Sequence, residues 1–479
     1  MSGPAPLGAQ WQCSRIWGNV AGSDRWVDQV SPLNGTLIQR VPLLDPAETA
    51  QMLDAQHVYK GLDTGSLSLF CSRLHDELHA LRPAILETTQ LETAFNRRDC
   101  AEIVDSCLEY VRGFPDYHTS LSPPSSTDLS YSADSQTRRV RQIDVPWGTI
   151  AAILPQSAFL YLALSCFLNA LVTGNRVILR APTQSARSAG LLGLAVHRAQ
   201  PPAGSVSIVM ISARVFVEAI CKSTRPILVH YLGSSARAPD LLSGCFVAGK
   251  QVIIDGEGNT WMWIDEDVAV ERACDILTSG ALRYNGQTCT SINGAIIHPK
   301  LHASLKERLA ARWNGISAGN PLEADVEIGP LLDESQAEHC LALVMESGGA
   351  VLAGGRRDGS LLMPTLVSEP PQDSALVCKG VFGPVMWIAP GTFGDFQALW
   401  PRNRYPLCAG ILSSSNAREQ RMLSLPNLAR LVINGDPSEE YMYEPWGGYP
   451  AAGNNTVSQW HRKYLRPVQV DSPTSPAAS

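Results

Sequence analysis

The sequence predicts an α/β protein built from a Rossmann-like parallel-sheet unit, a second α/β unit and a small β unit. Three observations lead there. The chain has 479 residues, more than one small core uses, so two or three domains are expected. Short β-rich runs alternate with stretches of helical spacing in two successive blocks, and such repetition signals parallel sheets covered by helices. Two further β-rich segments, Thr137 to Ile150 and His461 to Val470, stand apart from both blocks.

The elements follow in chain order. Trp26 to Pro42 reads as two short strands around the turn Ser31-Pro32-Leu33-Asn34-Gly35. Asp45 starts a helical pattern, with Pro46 in a first-turn position. From Glu48 to Gly113 the apolar spacing predicts about three helices, and Pro115 to Ser135, rich in Ser, Pro, Thr and Asp, predicts a loop. In the first alternating block, strands are expected at Gly148–Leu154, Arg176–Leu179, Val206–Ile211, Ile227–Leu232 and Gln251–Asp255. Helices are expected between them at Ala158–Val172, Ser185–Arg198, Val215–Ser223 and Ala236–Ala248. The second block predicts helices at Val268–Arg283, Leu301–Arg312 and Glu334–Ser347. Its strands are expected at Gly294–Ile297, Ala350–Leu352, Val385–Ile388, Ala409–Leu412 and Arg430–Ile433. Trp460 to Asp471 reads as a last strand, and Ser472 to Ser479 as a frayed end.

Composition excludes several classes. Apolar residues make up 45% and charged residues 17%, an ordinary globular balance. The net charge of −7 and the lack of any Lys/Arg run of five or more argue against nucleic acid as a partner. Gly148 to Leu179 is strongly apolar, but Pro155, Gln156, Ser157, Asn169 and Asn175 interrupt it. A membrane helix wants about 20 uninterrupted apolar residues, so buried strand and helix are expected there instead. Met1 to Gln10 lacks the pattern of a signal peptide. The 12 cysteines never fall within four residues of each other, so no zinc or redox motif and no metal site is expected. Scattered single cysteines suit a reducing cytoplasm, most of them as small buried hydrophobes.

One cysteine has unusual surroundings. Cys289 lies in Arg283-Tyr284-Asn285-Gly286-Gln287-Thr288-Cys289-Thr290, after a polar Gly-containing loop and before a strand. A catalytic thiol needs access and a polar setting, which such a loop supplies; an inert buried cysteine is the alternative. Gly233-Ser234 closes one expected strand and opens a helix. A helix N-terminus offers free N–H groups to phosphate, although an ordinary strand–helix turn looks the same.

Asn285-Gly286-Gln287-Thr288-Cys289-Thr290 resembles the nucleophile motif of the aldehyde dehydrogenase superfamily. The resemblance runs from roughly Val27 to Val470. Pro146-Trp147-Gly148-Thr149-Ile150 with Ile153-Leu154-Pro155 is similar to the entry into the family's cofactor domain. Gly174-Asn175-Arg176-Val177-Ile178-Leu179-Arg180 is similar to its Gly-Asn strand, and Tyr231-Leu232-Gly233-Ser234-Ser235 to its pyrophosphate turn. Gly329-Pro330-Leu331, Gly354-Gly355, Pro364-Thr365, Phe382-Gly383-Pro384 and Trp446-Gly447-Gly448-Tyr449 follow in the family's order. Each piece is short; the ordered set is specific.

The resemblance implies oxidation of an aldehyde with NAD or NADP. The Cys289 thiolate attacks the carbonyl, the Cys289 N–H helps to hold the oxyanion, hydride leaves to the nicotinamide, and water or another acyl acceptor cleaves the thioester. Cofactor contacts are expected from Pro155, Arg180, Gly233, Ser234 and Phe382. Arg180 stands where the family usually has a ribose-binding Lys, and Thr183 where many members have a Glu, so NAD and NADP both stay open. The resemblance also implies a homodimer or homotetramer, through β segments that pair between subunits. Its domains would be a cofactor unit of residues 1–120 and 146–253, a catalytic unit of 254–440, and a bridging segment of 121–145 and 454–471.

The departures from the family pattern are specific. Ser157 stands where an Asn donates to the oxyanion. Asp255 stands where the general base is a Glu, and Glu257 offers a second carboxylate. Gly380 replaces a Glu that holds the nicotinamide ribose, and Ser212-Ala213-Arg214 replaces a glycine-containing turn. Two rivals follow: a coenzyme A-acylating enzyme, suggested by Gly256-Glu257-Gly258-Asn259, and a catalytically inactive scaffold. The aldehyde itself is not legible. Trp261, Trp263, Tyr284, Tyr441, Tyr443 and Trp446 would form either an aromatic funnel or core and interface filler.

Overall fold

Strands Thr149–Ile153, Arg176–Ala181, Val206–Met210, Ile227–Leu232 and Gln251–Asp255 form a five-stranded parallel sheet. The computed structural model describes residues 25–55, 61–121, 128–133 and 136–473. Thr149–Ile153 lies in the middle of this sheet, with Arg176–Ala181 on one side and Ile227–Leu232 on the other. Every residue of Thr149–Ile153 and of Ile227–Leu232 is buried. Both faces are covered, which explains why these strands read as unbroken apolar runs. Ile150 and Ala152 pack on one face, with helices Thr64–Thr93, Arg97–Ser120, Phe159–Val172 and Ala186–Ala199. Ala151 and Ile153 pack on the other, with Ala213–Lys222 and Ala238–Val247. The chain winds outward in both directions from Thr149–Ile153, so a switch point lies between the ends of that strand and Ile227–Leu232.

The second sheet has seven strands, in the order Ala350–Ala353, Thr365–Ser368, Val385–Pro390, Ile292–Ile297, Thr260–Ile264, Cys408–Leu412 and Arg430–Ile433. Only the Ala350–Ala353 pairing is antiparallel. Thr260–Ile264 was not among the expected strands, yet it sits well inside the sheet. Trp261 and Trp263 are fully buried there, against Trp387, Trp400 and Phe393, and belong to the core rather than to any funnel. Tyr441, by contrast, is exposed, and Tyr443 stacks on Tyr110 and Tyr117.

A third, antiparallel sheet joins Asp128–Ala133, Gln136–Pro146 and Leu465–Pro473. Here the expectations need correction. Helix Arg97–Ser120 continues through Pro115, and the expected loop becomes a strand at Asp128. Buried Phe114 and the Tyr117–Tyr443 contact hold the last helical turn despite the proline. The expected last strand starts at Leu465, because Trp460–Lys463 forms a short helical turn first. Strand pairing extends to Pro473, so of the expected frayed end only residues 474–479 lie outside the described residues, as do residues 1–24 of the expected cofactor unit. Among the described residues no helix is long and apolar enough to cross a membrane.

Candidate active site

Cys289 lies between the helical turn Arg283–Gly286 and strand Ile292–Ile297, partly exposed. The turn is strained: Tyr284 and Asn285 both adopt left-handed backbone conformations, with φ of 55° and 56°. Such residues cost about 1–3 kcal/mol each and persist only where neighbours over-determine them. Those neighbours are present. The Tyr284 N–H donates to Asp99 Oδ2 at 2.8 Å. The Asn285 amide donates to the carbonyls of Ala94 and Pro330 at 3.2 and 3.3 Å, and its Oδ1 accepts the Gly329 N–H at 3.1 Å. Gly329-Pro330 thus buttresses the turn that precedes Cys289. From below, Gly258 approaches so closely that a Cβ there would lie 1.9 Å from the Cys289 carbonyl oxygen. Cys289 packs against the small cluster of Tyr405, Leu407 and Ala452.

Burial pushes the Cys289 thiol well above its ordinary range. The negative charges of Glu440 and then Asp255 push the same way, and only its own backbone N–H opposes them. Asp255 ends strand Gln251–Asp255 and is buried. Both its carboxylate oxygens are taken. Oδ1 accepts from Asn455 Nδ2 at 2.7 Å, and Oδ2 from His230 Nε2 at 2.7 Å, with Lys463 Nζ at 3.5 Å. Burial pushes this carboxyl up, but Lys463, His230 and Asn455 together hold it well below the usual carboxylate range. Burial keeps His230 neutral against the pull of Asp255. A ring donating from Nε2 then accepts the Tyr464 hydroxyl at Nδ1, 2.8 Å away. Glu257 turns elsewhere: its Oε2 accepts the Ser235 N–H at 3.1 Å.

Ser157 lies just before helix Phe159–Val172, partly exposed, and among the described residues its hydroxyl has no partner. Tyr161, four residues on, feels the charge of Glu440, so this helix end faces the Cys289 side.

Three of the expected cofactor residues lie at the switch point. Pro155 follows the central strand, and Gly233-Ser234 follows Ile227–Leu232. The Gly233 N–H donates to the Asp255 carbonyl at 3.1 Å, which ties this turn to the buried carboxylate. Helix Ala238–Val247 opens after it with no side-chain cap, leaving N–H groups of the kind that bind phosphate. Arg180 Nε donates to the Ile211 carbonyl at 2.9 Å; burial lowers its guanidinium to about 10, still a cation at neutral pH. Phe382 is 41% exposed, so it is no core residue and its ring is free to meet a ligand. Gly380 has φ of 71°, and a Cβ there would stand 2.7 Å from Asn259 Oδ1. A larger side chain at 380 would therefore collide with Asn259. Taken together, the switch point, the uncapped helix, the cationic Arg180 and the open Phe382 fit a dinucleotide.

A sequence profile of the aldehyde dehydrogenase family matches residues 19–469. The chain belongs to the aldehyde dehydrogenase family. The family uses NAD or NADP, and this aldehyde dehydrogenase oxidises an aldehyde with one of them. It is 22% identical to the α-ketoglutaric semialdehyde dehydrogenase of Bacillus subtilis (strain 168), over 66% of this chain and 67% of that one. It is 23% identical to the vanillin dehydrogenase of Amycolatopsis sp., over 92% and 90%. The fold is similar to that of the succinate-semialdehyde dehydrogenase from Burkholderia pseudomallei, with a TM-score of 0.88, 18% identity, and 98% and 100% of the two chains covered. It is also similar to the glyceraldehyde-3-phosphate dehydrogenase from Methanocaldococcus jannaschii complexed with NADP, with a TM-score of 0.83, 19% identity, and 94% and 100% covered.

Sequence reasoning missed four residues that surround Asp255 and Cys289. His230 left a signal, as a lone imidazole inside the apolar strand Ile227–Leu232. Asn455 and Lys463 looked like ordinary tail residues, and Glu440 belongs to no motif. Each reaches the site only through chain folded back from far away.

Proposed function

We propose that this aldehyde dehydrogenase converts its substrate to the free carboxylic acid through a covalent bond to Cys289, with water as the acyl acceptor. The observation that carries the reading is the strained, partly open turn that presents Cys289, held by Asp99, Ala94, Gly329 and Pro330. A structure that fixes two left-handed residues beside one cysteine is poorly explained by core filling. The Cys289 sulfur attacks the aldehyde carbon, and the Cys289 N–H and the unpartnered Ser157 hydroxyl stabilise the oxyanion. A bound NAD(P)+ would supply the hydride acceptor that leaves the acyl group on sulfur, and a positive charge that offsets the anions raising the thiol. Pro155, Gly233, Ser234, Arg180 and Phe382 hold the cofactor. Asp255 and Glu257 are the carboxylates that family position offers as the deacylating base.

The same reading divides the chain into a cofactor unit (1–120 and 146–253), a catalytic unit (254–440) and a bridging segment (121–145 and 454–471). The three sheets support it. A homodimer or homotetramer working in the cytoplasm completes it. The test is reduced-nicotinamide absorbance with a panel of aldehydes, NAD or NADP, and coenzyme A present or absent. Steady turnover with water alone is expected, and Cys289→Ala should lose it. More than a few per cent of the rate in that variant, or turnover only with coenzyme A, would defeat the proposal.

A further inference from the structure

We infer that Glu440, which belongs to no sequence motif, is the base that activates water against the acyl group on Cys289, while Asp255 serves as a fixed anion beneath the site. The inference rests on the covalent reading of Cys289. Glu440 lies in the loop between strands Arg430–Ile433 and Trp446–Gly448, partly buried. Its Oε1 accepts the hydroxyl of Thr290, the residue next to the nucleophile. Among the described residues its Oε2 has no hydrogen-bond partner, so one lone-pair face stays open to water. Of the two carboxylates whose charge reaches the Cys289 sulfur, Glu440 exerts the stronger influence.

The groups facing Glu440 come from every side. Arg430 reaches it from strand Arg430–Ile433, Glu444 from the same loop, Tyr161 from helix Phe159–Val172, Tyr284 from the turn before Cys289, Cys289 from the loop that follows, and Cys408 from the sheet. Burial raises the Glu440 carboxyl, Arg430 and the Thr290 hydroxyl oppose it, and Glu444 adds to the rise; the net direction is up. Asp255 goes the opposite way, with both oxygens occupied. A base works best with its pKa near the working pH and a lone pair free for the proton it takes. The Glu440 carboxyl is raised and keeps one oxygen unbonded, whereas that of Asp255 is lowered and has both oxygens occupied.

The step balances without another reactant. Water attacks the acyl carbon as one of its protons passes to the Glu440 carboxylate, and the carbonyl pair moves onto oxygen. The tetrahedral intermediate collapses, the C–S bond breaks, and the carboxylic acid departs. Glu440 returns its proton to the Cys289 sulfur, restoring the thiol that burial favours.

Rapid mixing of Glu440→Gln with excess aldehyde and oxidised cofactor tests this. A burst of reduced nicotinamide near one per active site is expected, then a steady rate lowered about 100-fold or more. Hydroxylamine, which cleaves thioesters without a base, should restore turnover. Glu440→Asp should keep part of the steady rate, and the acid limb of the wild-type kcat profile should vanish in Glu440→Gln. A Glu440→Gln steady rate within twofold of wild type would overturn the assignment. So would loss of the burst in a variant that still binds cofactor and melts like wild type. An active Cys289→Ala would instead bring down the covalent reading beneath it.

Discussion

Lys463 Nζ stands 3.5 Å from Asp255 Oδ2, across 208 residues of chain, with both side chains shielded from solvent. Removing one partner of a buried pair strands the other charge, which costs about 3–5 kcal/mol. Lys463→Met should therefore destabilise the fold by about 3 kcal/mol, the lower end, because His230 and Asn455 still serve Asp255. Urea unfolding measures it. A loss under about 1 kcal/mol would show that the pair contributes little.

The same pair sets an acid limit. Asp255 titrates lower in the folded chain than in the unfolded one, where an aspartate titrates near about 4. The unfolded chain then binds more protons between the two values. The stabilisation is full above about pH 4 and is lost as pH falls through the depressed range. Asp255→Asn should flatten that acid limb in unfolding experiments; an unchanged limb would contradict the role.

Glu92 should act at the other end of the scale. It accepts the Arg187 and Ser188 N–H groups at 2.9 and 3.2 Å, Gln29 Nε2 at 2.6 Å, and the Ser188 hydroxyl. Burial nevertheless pushes its carboxyl up to about 7. The folded chain holds this proton more tightly than the unfolded one. The associated stability is present below the ordinary carboxylate range and fades as pH rises through about 7. Unfolding at about pH 6 and about pH 8.5 should show a decline in wild type that Glu92→Gln reduces. The same decline in both proteins would rule Glu92 out as its source.

Gly258→Ala tests the packing beneath the nucleophile. A Cβ there would displace the Cys289 carbonyl, 1.9 Å away. A shift of about 1 Å in a reacting group costs on the order of 100-fold in rate. That loss in kcat is expected with cofactor binding retained. Wild-type kcat would mean that the loop relaxes freely.

Arg180→Met addresses the cofactor. Arg180 remains cationic at the end of its strand, and Thr183 carries no charge to repel a 2′-phosphate. Titration of the protein's fluorescence should show NADP affinity falling about tenfold or more, with NAD affinity nearly unchanged. Equal losses for both would remove Arg180 from phosphate recognition.

Much of this was legible in the sequence, for a physical reason. Ile227–Leu232, Gln251–Asp255 and Arg430–Ile433 match their expected bounds because turn residues frame them. Thr260–Ile264 escaped because a strand buried on both faces shows no alternation, and its two tryptophans suggested a funnel. Cys289 was legible because its motif is contiguous. Glu440 was not, because its bond to Thr290 spans 150 residues and depends on a loop with no pattern of its own.

The tie between Asp255 and residues 455–463 also orders events in time. Asp255 leaves the ribosome 200 residues before Asn455 and 208 before Lys463. The cofactor sheet has all five strands by Asp255, yet the anion at its edge stays unneutralised until Lys463 arrives. The surroundings of Asp255 are thus completed late in synthesis. A product that stops after Cys289 but before Lys463 lacks the cation that Asp255 pairs with.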